Sequence, residues 1–143
     1  MRPFILIELL IAFALVSASA LPFIRYPLQH LSREIDALFQ MELSREAEKA
    51  FADVQIALLQ NKIPPSFLEK PKFQIYQKET QEISLTPRLA RRFERVIKLK
   101  PESQKKTNEG EEFTLLKVVV SFFPPSKSKA VLQADMVLFC KRV

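Results

Sequence analysis

The sequence contains very little glycine, histidine, cysteine and aspartate, and each shortage excludes a class of function. The one glycine, Gly110, cannot supply a P-loop or a GxGxxG turn, because both need several glycines where the backbone approaches phosphates. The one histidine, His30, and the one cysteine, Cys140, exclude zinc fingers, two-histidine metal sites and an intramolecular disulfide. Only three aspartates occur, which argues against an Asp-rich calcium loop. We therefore expect no metal, no cofactor and no small-molecule substrate.

The apolar residues are concentrated at the start of a chain whose average is neutral. Mean hydropathy is -0.00 over 143 residues, yet residues 4–24 (FILIELLIAFALVSASALPFI) carry a single charge, on Glu8. A membrane-spanning helix needs about 20 predominantly apolar residues, so this segment is long enough. We predict a short leader at 1–3 and a transmembrane helix at 4–24, in contact with membrane lipid.

Residues 25–63 predict an amphipathic helical stalk. Apolar residues recur at steps of three and four with charged residues between them, until Pro64 and Pro65 end the pattern. Pro22 and Pro27 are expected to kink or loosen the helix. The apolar stripe is either a core face for a sheet or a seam with another helix. Its members are Leu28, Leu31, Ile35, Leu38, Phe39, Leu43, Ala47, Ala50, Phe51, Val54 and Leu58.

Residues 64–143 predict a C-terminal globular domain with antiparallel β-strands, which gives an α+β fold class. Strands are predicted at Phe73–Tyr76, Glu112–Phe123 and Ala130–Cys140, and the last two form a hairpin around a polar proline turn. Alternation in the last strand marks one apolar face, which we expect to be buried. That face consists of Leu132, Ala134, Met136, Leu138 and Cys140.

Two further segments of this domain predict other structure. Residues 86–95 (TPRLARRFER) have Thr86 as a helix cap and Pro87 in the first turn, and predict a short helix. Residues 101–112 are polar and predict a solvated loop.

Cys140 lies on the expected buried face of the last strand, and His30 lies on the long helix just after the apolar segment. We therefore expect Cys140 to be a structural thiol and His30 an interface histidine, rather than a nucleophile and its base. With no catalytic constellation, we expect no enzyme.

The first ten residues resemble the start of type IV pilins and type II secretion pseudopilins. In that family a short basic leader ends before phenylalanine, and a glutamate lies four residues further on in an apolar helix. Phe4 and Glu8 match these two positions, and Pro22 lies near a proline that many pilins carry. The resemblance implies a long kinked helix followed by an antiparallel sheet, with residues 28–38 contacting other subunits and the later stripe anchoring the sheet.

One position departs from the family pattern. The family's peptidase cuts after glycine, and this chain has Pro3 there, which fixes φ and restricts its neighbour. Cleavage and N-methylation of Phe4 are therefore not expected from a peptidase that requires glycine. The subunit is either kept uncut or processed by a peptidase of different tolerance.

The resemblance also implies partners and a location. Glu8 would pair with the amine of a neighbouring subunit's first residue, or with Arg2 or the Met1 amine if Phe4 is not freed. A carboxylate inside a membrane helix is costly, which favours such a paired role. The expected partners are other pilin-like subunits and the inner-membrane secretion machinery. The expected location is a bacterial inner membrane, with the N-terminus cytoplasmic and the C-terminal domain periplasmic. The chain would be a minor, structural component of a filament for protein export.

Two alternatives use the same residues differently. Residues 18–20 (ASA) match the end of a secretory signal peptide, which would release an exported protein that begins at Leu21. A binding domain, exported or membrane-anchored, would instead use a basic face for nucleic acid or anionic lipid. We interpret that face as solvated and do not expect nucleic acid to bind it. The face spans residues 88–100 and consists of Arg88, Arg91, Arg92 and Arg95, together with Lys98 and Lys100.

Overall fold

The computed structural model describes residues 3–106 and 112–142. Residues 1–2 of the expected leader and Gly110 in the expected loop lie outside this part of the chain. The α+β class is confirmed, since a long apolar N-terminal helix packs on a four-stranded antiparallel sheet. The elements are α1 (Pro3–Leu59), α2 (Ser66–Glu69), β1 (Gln74–Thr86), β2 (Leu89–Lys106), β3 (Glu112–Phe123) and β4 (Leu132–Arg142).

The chain divides into two compact units, of which the first ends at Leu38. Its described residues all belong to α1, and those from 4 to 34 are exposed. α1 is long and apolar enough to cross a membrane. The helix continues as one element through Pro22 and Pro27.

The second unit begins at Phe39 and contains the rest of α1 and the sheet. From Phe39 to Val54, residues of the helical stripe recur every three or four positions, so they share one face of α1 and are buried together. The earlier members Leu28, Leu31 and Leu38 are exposed. Strand order is β1-β2-β3-β4, with every neighbouring pair antiparallel. Phe39 of α1 contacts Phe93 of β2, with ring centroids 6.4 Å apart. Buried residues of α1 are Phe39, Leu43, Ala47, Ala50, Phe51 and Val54.

The C-terminal end of α1 is capped by an asparagine rather than by a glycine. Asn61 adopts a positive φ of 52°, and the Lys62 amide donates to the Ala57 carbonyl across 2.9 Å. The Asn61 amide donates to the Leu58 carbonyl across 3.1 Å, which completes a Schellman motif. Asparagine tolerates the left-handed conformation better than other residues that carry a Cβ, so it takes the place usually held by glycine.

The prediction of a short helix at residues 86–95 is wrong. β1 ends at Thr86 and β2 begins at Leu89, so Pro87 and Arg88 form the turn between two strands. Leu89, Phe93 and Val96 imitate a helical spacing, but β2 pairs with β1 on one side and β3 on the other. These two ladders satisfy the backbone of β2, and tertiary context overrides the local start signal.

The solvated loop predicted at residues 101–112 is also corrected in part. Residues 101–106 continue β2, with Lys106 opposite Glu112 of β3, while 107–111 lie outside the described residues. Glu102 and Gln104 are exposed residues of this strand, so their polar side chains do not indicate an irregular backbone. β1 is likewise longer than the predicted strand Phe73–Tyr76. The prediction ended too early because most of the later residues of β1 are polar, so the sequence shows no apolar alternation there.

The predicted hairpin of the two last strands is confirmed. β3 has the expected bounds, and β4 pairs with it in an unbroken register from Glu112↔Arg142 to Phe122↔Leu132. The expected apolar face of β4 lies opposite Leu116 and Val118, which are completely buried and face α1. Leu138 is the buried member of that face, whereas Met136 is exposed.

Candidate functional site

Glu8 is the carboxylate of the apolar segment and lies in the second turn of α1. Its neighbours Ile7 and Leu9 are exposed, and so is Glu8 itself. Within residues 3–106 and 112–142, Glu8 forms no ion pair. α1 begins at Pro3, where proline costs no hydrogen bond because the first amides of a helix have no intrahelical acceptor. Phe4 follows with its ring exposed. Phe4 and Glu8 are one helical turn apart, on the same side of α1.

The four arginines of the expected basic face do not form one surface. Arg88 lies in the β1–β2 turn, and Arg91 places its guanidinium carbon 4.3 Å from the centre of the Phe39 ring. Arg92 pairs with Glu82 across 3.1 Å. Arg95 is buried, with a side chain only 10% exposed, and pairs with Glu79.

Strand alternation explains this separation. In β2, Arg91 and Arg95 are four residues apart and lie on the side of the sheet that faces α1. Arg92 lies on the opposite side, beside Glu82 of β1. A helix would have presented these side chains together, whereas the strand divides them between two environments. Three of the four arginines, Arg91, Arg92 and Arg95, contact residues of the sheet or of α1.

A polar cluster between α1 and β1 was missed by the sequence reasoning. Gln81 donates from Nε2 to the Glu46 Oε2 across 2.6 Å, and Lys49 pairs with the other carboxylate oxygen. The hydrogen bond from Lys49, together with that from Gln81 and the nearby charge of Arg95, holds the pKa of Glu46 below its ordinary value. Glu46 interrupts no pattern in the sequence, so only its position beside the buried Ala47 could have drawn attention to it.

The side of the sheet that faces away from α1 carries charged pairs and apolar residues. Lys117 of β3 pairs with Asp135 of β4 across 2.9 Å, and Asp135 raises the pKa of Lys117. Phe113 and Phe139 stack beside this pair, with ring centroids 5.0 Å apart. These contacts join β3 to β4 through their side chains as well as their backbones.

The described residues bring no catalytic group together. His30 belongs to the first unit and pairs with Glu34 across 3.1 Å, whereas Cys140 belongs to β4. Burial raises the pKa of the Cys140 thiol, which lowers its reactivity. In the part of the chain that the structure describes, no three His, Cys, Asp or Glu side chains cluster as metal ligands would.

Comparison of the chain with protein-family models, with curated proteins and with solved structures finds no match in any of the three.

Proposed function

We propose that the chain is a membrane-anchored, pilin-like subunit with a structural role in a type II secretion or type IV pilus-type assembly. The observation that carries the proposal is the composition of α1. One helix contains an exposed apolar segment long enough to span a membrane and a second segment whose stripe is buried on an antiparallel sheet. This element order is the one that the resemblance of the first ten residues implies.

Glu8 supports an assembly role on physical grounds. An ionised carboxylate at the bilayer centre costs about 2.5–3.5 kcal/mol, and less near the interface. We propose that a cation from a neighbouring subunit neutralises Glu8. The proposed partner is the amine of the neighbour's first residue, or Arg2 of the neighbour if Pro3 blocks cleavage. N-methylation of Phe4 depends on that cleavage and belongs to the proposal only in the processed form.

The proposed location is a bacterial inner membrane with a cytoplasmic N-terminus and a periplasmic sheet domain. The flanking charges are too balanced to orient the helix, since Arg2 and Arg25 lie one on each side of the span. Other pilin-like subunits and the inner-membrane machinery that extracts them from the bilayer are the proposed partners. The separation of the four arginines between two sides of β2 gives no support to a nucleic-acid site, and none is proposed.

The mature N-terminus tests the proposal most directly. The full chain is expressed with a C-terminal affinity tag in a bacterium that carries a type II secretion system, and its mass is measured in membrane and soluble fractions. We expect membrane-bound protein that begins at Met1 or at Phe4. Protein that begins at Leu21 and is found in the soluble fraction would establish the signal-peptide alternative and overturn the proposal.

The assembly role of Glu8 is tested by crosslinking in membranes. Glu8→Ala is compared with the matched control Leu10→Ala, which removes an exposed apolar side chain from the same part of α1. We expect Glu8→Ala to lose crosslinked oligomers while its amount in the membrane is unchanged, and Leu10→Ala to retain them. Equal crosslinking of both variants would remove Glu8 from the assembly.

A further inference from the structure

The β1–β2 turn and the β3–β4 turn lie at the same end of the second unit. Four antiparallel strands in the order β1-β2-β3-β4 place these two turns at one end of the sheet, while β2 ends and β3 begins at the other. The register agrees, since Phe123, the last residue of β3, is opposite Glu94, near the start of β2 at Leu89. We call this end, formed by residues 83–91 and 122–132, the turn end.

The turn end is basic. Its two segments (ISLTPRLAR and FFPPSKSKAVL) contain four basic residues and no acidic residue. The basic residues are Arg88, Arg91, Lys127 and Lys129. The acidic residues that come next along the strands are paired within the sheet: Glu82 with Arg92, Glu94 with Lys78 and Asp135 with Lys117. The two turns therefore carry an excess of positive charge.

The β3–β4 turn is held by its own backbone. The Lys127 amide donates to the Pro124 carbonyl across 3.1 Å, and the Val131 amide donates to the Phe122 carbonyl across 2.8 Å. Pro124 has a fixed φ, which restricts the turn further. Lys127 and Lys129 are exposed on this turn. Because the turn is already ordered, a ligand that binds the two lysines has little backbone entropy to remove.

The chain enters the second unit at the turn end. Phe39 is the first residue of that unit, and its ring contacts Phe93 and lies 4.3 Å from the Arg91 guanidinium carbon. Only residues 25–38 separate Phe39 from the apolar segment, which ends at Ile24. The turn end is thus the end of the second unit that is tethered to the proposed membrane anchor.

We propose that the turn end binds the surface of the membrane that holds α1, through the phosphates of anionic phospholipids. Guanidinium and ammonium groups pair with phosphate oxygens, and each basic residue close to an anionic bilayer strengthens binding about fivefold. The tether keeps the bilayer at a high effective concentration beside the turns, so contacts that are weak individually suffice. This argument favours a lipid surface over an acidic protein. The inference rests on the proposed anchoring of α1 and adds a second membrane contact, made by the sheet.

Lysine labelling of the full-length chain in nanodiscs tests this contact. One copy per disc is reconstituted in phosphatidylcholine alone or mixed with phosphatidylglycerol, and acetylation at low extent is quantified by mass spectrometry. We expect Lys127 and Lys129 to be labelled several-fold less in the anionic discs. The difference should disappear in about 1 M salt, where charges are screened beyond about 3 Å.

Two lysines of the same chain serve as internal controls. Lys70 and Lys72 are exposed and precede β1, which carries the chain about 40 Å before it reaches the turn end. We expect their labelling to be equal in the two kinds of disc, because they lie at the other end of the sheet.

A matched pair of variants tests whether the two turns act together. Arg88→Gln removes a charge from the β1–β2 turn and leaves the labelled lysines in place, and we expect it to restore part of the labelling of Lys127 and Lys129 in anionic discs. Lys62→Gln is the control, since Lys62 is exposed and follows the end of α1, about 30 Å along the helix from Phe39. We expect this control to behave as the wild type. Equal thermal unfolding temperatures of the two variants show that both are folded.

The remaining outcomes would each overturn the inference. Equal labelling of Lys127 and Lys129 in both kinds of disc would exclude the lipid contact and leave the anchoring of α1 intact. Protection in neutral discs that appears only on addition of inorganic phosphate would assign the turns to a soluble phosphate ligand. A chain that is retained by discs of neither composition would overturn the anchoring itself, and the lipid contact with it.

Discussion

Gln81 of β1 donates a hydrogen bond to the Glu46 carboxylate of α1 across 2.6 Å, and this bond ties the helix to the edge of the sheet. The Glu46 side chain is only 15% exposed, and Lys49 one turn later holds its other oxygen. Hydrogen bonds to a charged group stabilise more than neutral ones do. Glu46 thus connects α1 to β1 through a polar contact within the second unit.

The first prediction concerns the removal of this carboxylate. Glu46→Ala is expected to lower the free energy of unfolding by about 1.5–3 kcal/mol, because charge-assisted hydrogen bonds are lost in a half-buried site. Glu48→Ala is the matched control, since Glu48 lies two residues away and is exposed. Urea unfolding of both variants in detergent measures the difference. An equal effect of the two substitutions would contradict a specific role for Glu46.

The second prediction is a pH dependence of the same site. The pKa of Glu46 is lowered from 4.5 in the folded chain, chiefly by the hydrogen bond from Lys49. Its stabilisation is therefore fully present above pH 4.5 and is lost as pH falls through the lower, folded pKa. We expect the stability difference between wild type and Glu46→Gln to be largest at neutral pH and to disappear in acid. Thermal unfolding at a series of pH values measures it, and a difference that persists unchanged in acid would argue against this linkage.

The third prediction concerns the pair of Arg95 and Glu79, whose two members differ in exposure. The Arg95 side chain is 10% exposed and that of Glu79 41% exposed. Removing Glu79 leaves a buried guanidinium without the carboxylate that it contacts and with only the charge of Glu46 nearby, whereas removing Arg95 leaves a carboxylate that water can reach. We expect Glu79→Ala to cost about 3 kcal/mol and Arg95→Met to cost less, as measured by urea unfolding. The reverse order would show that Arg95 acts mainly through packing.

The fourth prediction follows from the end of α1. Asn61 has a φ of 52°, a conformation that glycine adopts without steric cost. Asn61→Gly is expected to leave stability unchanged or to raise it by up to about 0.5 kcal/mol, whereas Asn61→Ala is expected to lower it by about 1 kcal/mol. The thermal unfolding temperatures of the two variants, compared with that of the wild type, measure both effects. Stabilisation by alanine would contradict the Schellman assignment.

The fifth prediction concerns Arg91 and the Phe39 ring beneath it. The guanidinium carbon is 4.3 Å from the ring centre, within the range of a cation–π interaction worth about 0.5–1 kcal/mol at an exposed site. A double-mutant cycle with Arg91→Gln and Phe39→Leu is expected to give a coupling energy of that size. The same cycle with Arg92→Gln in place of Arg91→Gln is the control, because Arg92 lies on the other side of β2. Additive effects of Arg91→Gln and Phe39→Leu would exclude the interaction.

Elements whose apolar residues recur at a regular spacing could be predicted from the sequence, and elements without such a spacing could not. The stripe of α1 predicts burial at regular intervals, which Leu43 and Val54 confirm. The alternation in β4 predicts the strand, but of its expected buried face only Leu138 is buried, while Met136 is exposed. The same reasoning fails for β2, because Thr86 and Pro87 are typical of the start of a helix. Its strand character comes from pairing with β1 and β3, which no local window of sequence contains.

The candidate site residues and the missed polar contact divide in the same way. Phe4 and Glu8 could be selected from sequence, because a single carboxylate in an apolar run is visible without a structure. The contact of Glu46 with Gln81 could not, since 35 residues separate them and neither breaks a pattern. The place of β4 at one edge of the sheet also could not be predicted, since it depends on the order of the strands.

The position of α1 at the start of the chain has a consequence for biosynthesis. The ribosome completes the whole helix, including Phe39 and Val54, before it makes any strand that covers them. Phe93 of β2 and Val118 of β3 complete the cover much later, so the apolar half of the helix has no partner while half of the chain is made. Exposed apolar surface in a nascent chain invites aggregation. The helix that is long and apolar enough to cross a membrane is therefore also the element that depends longest on protection during synthesis.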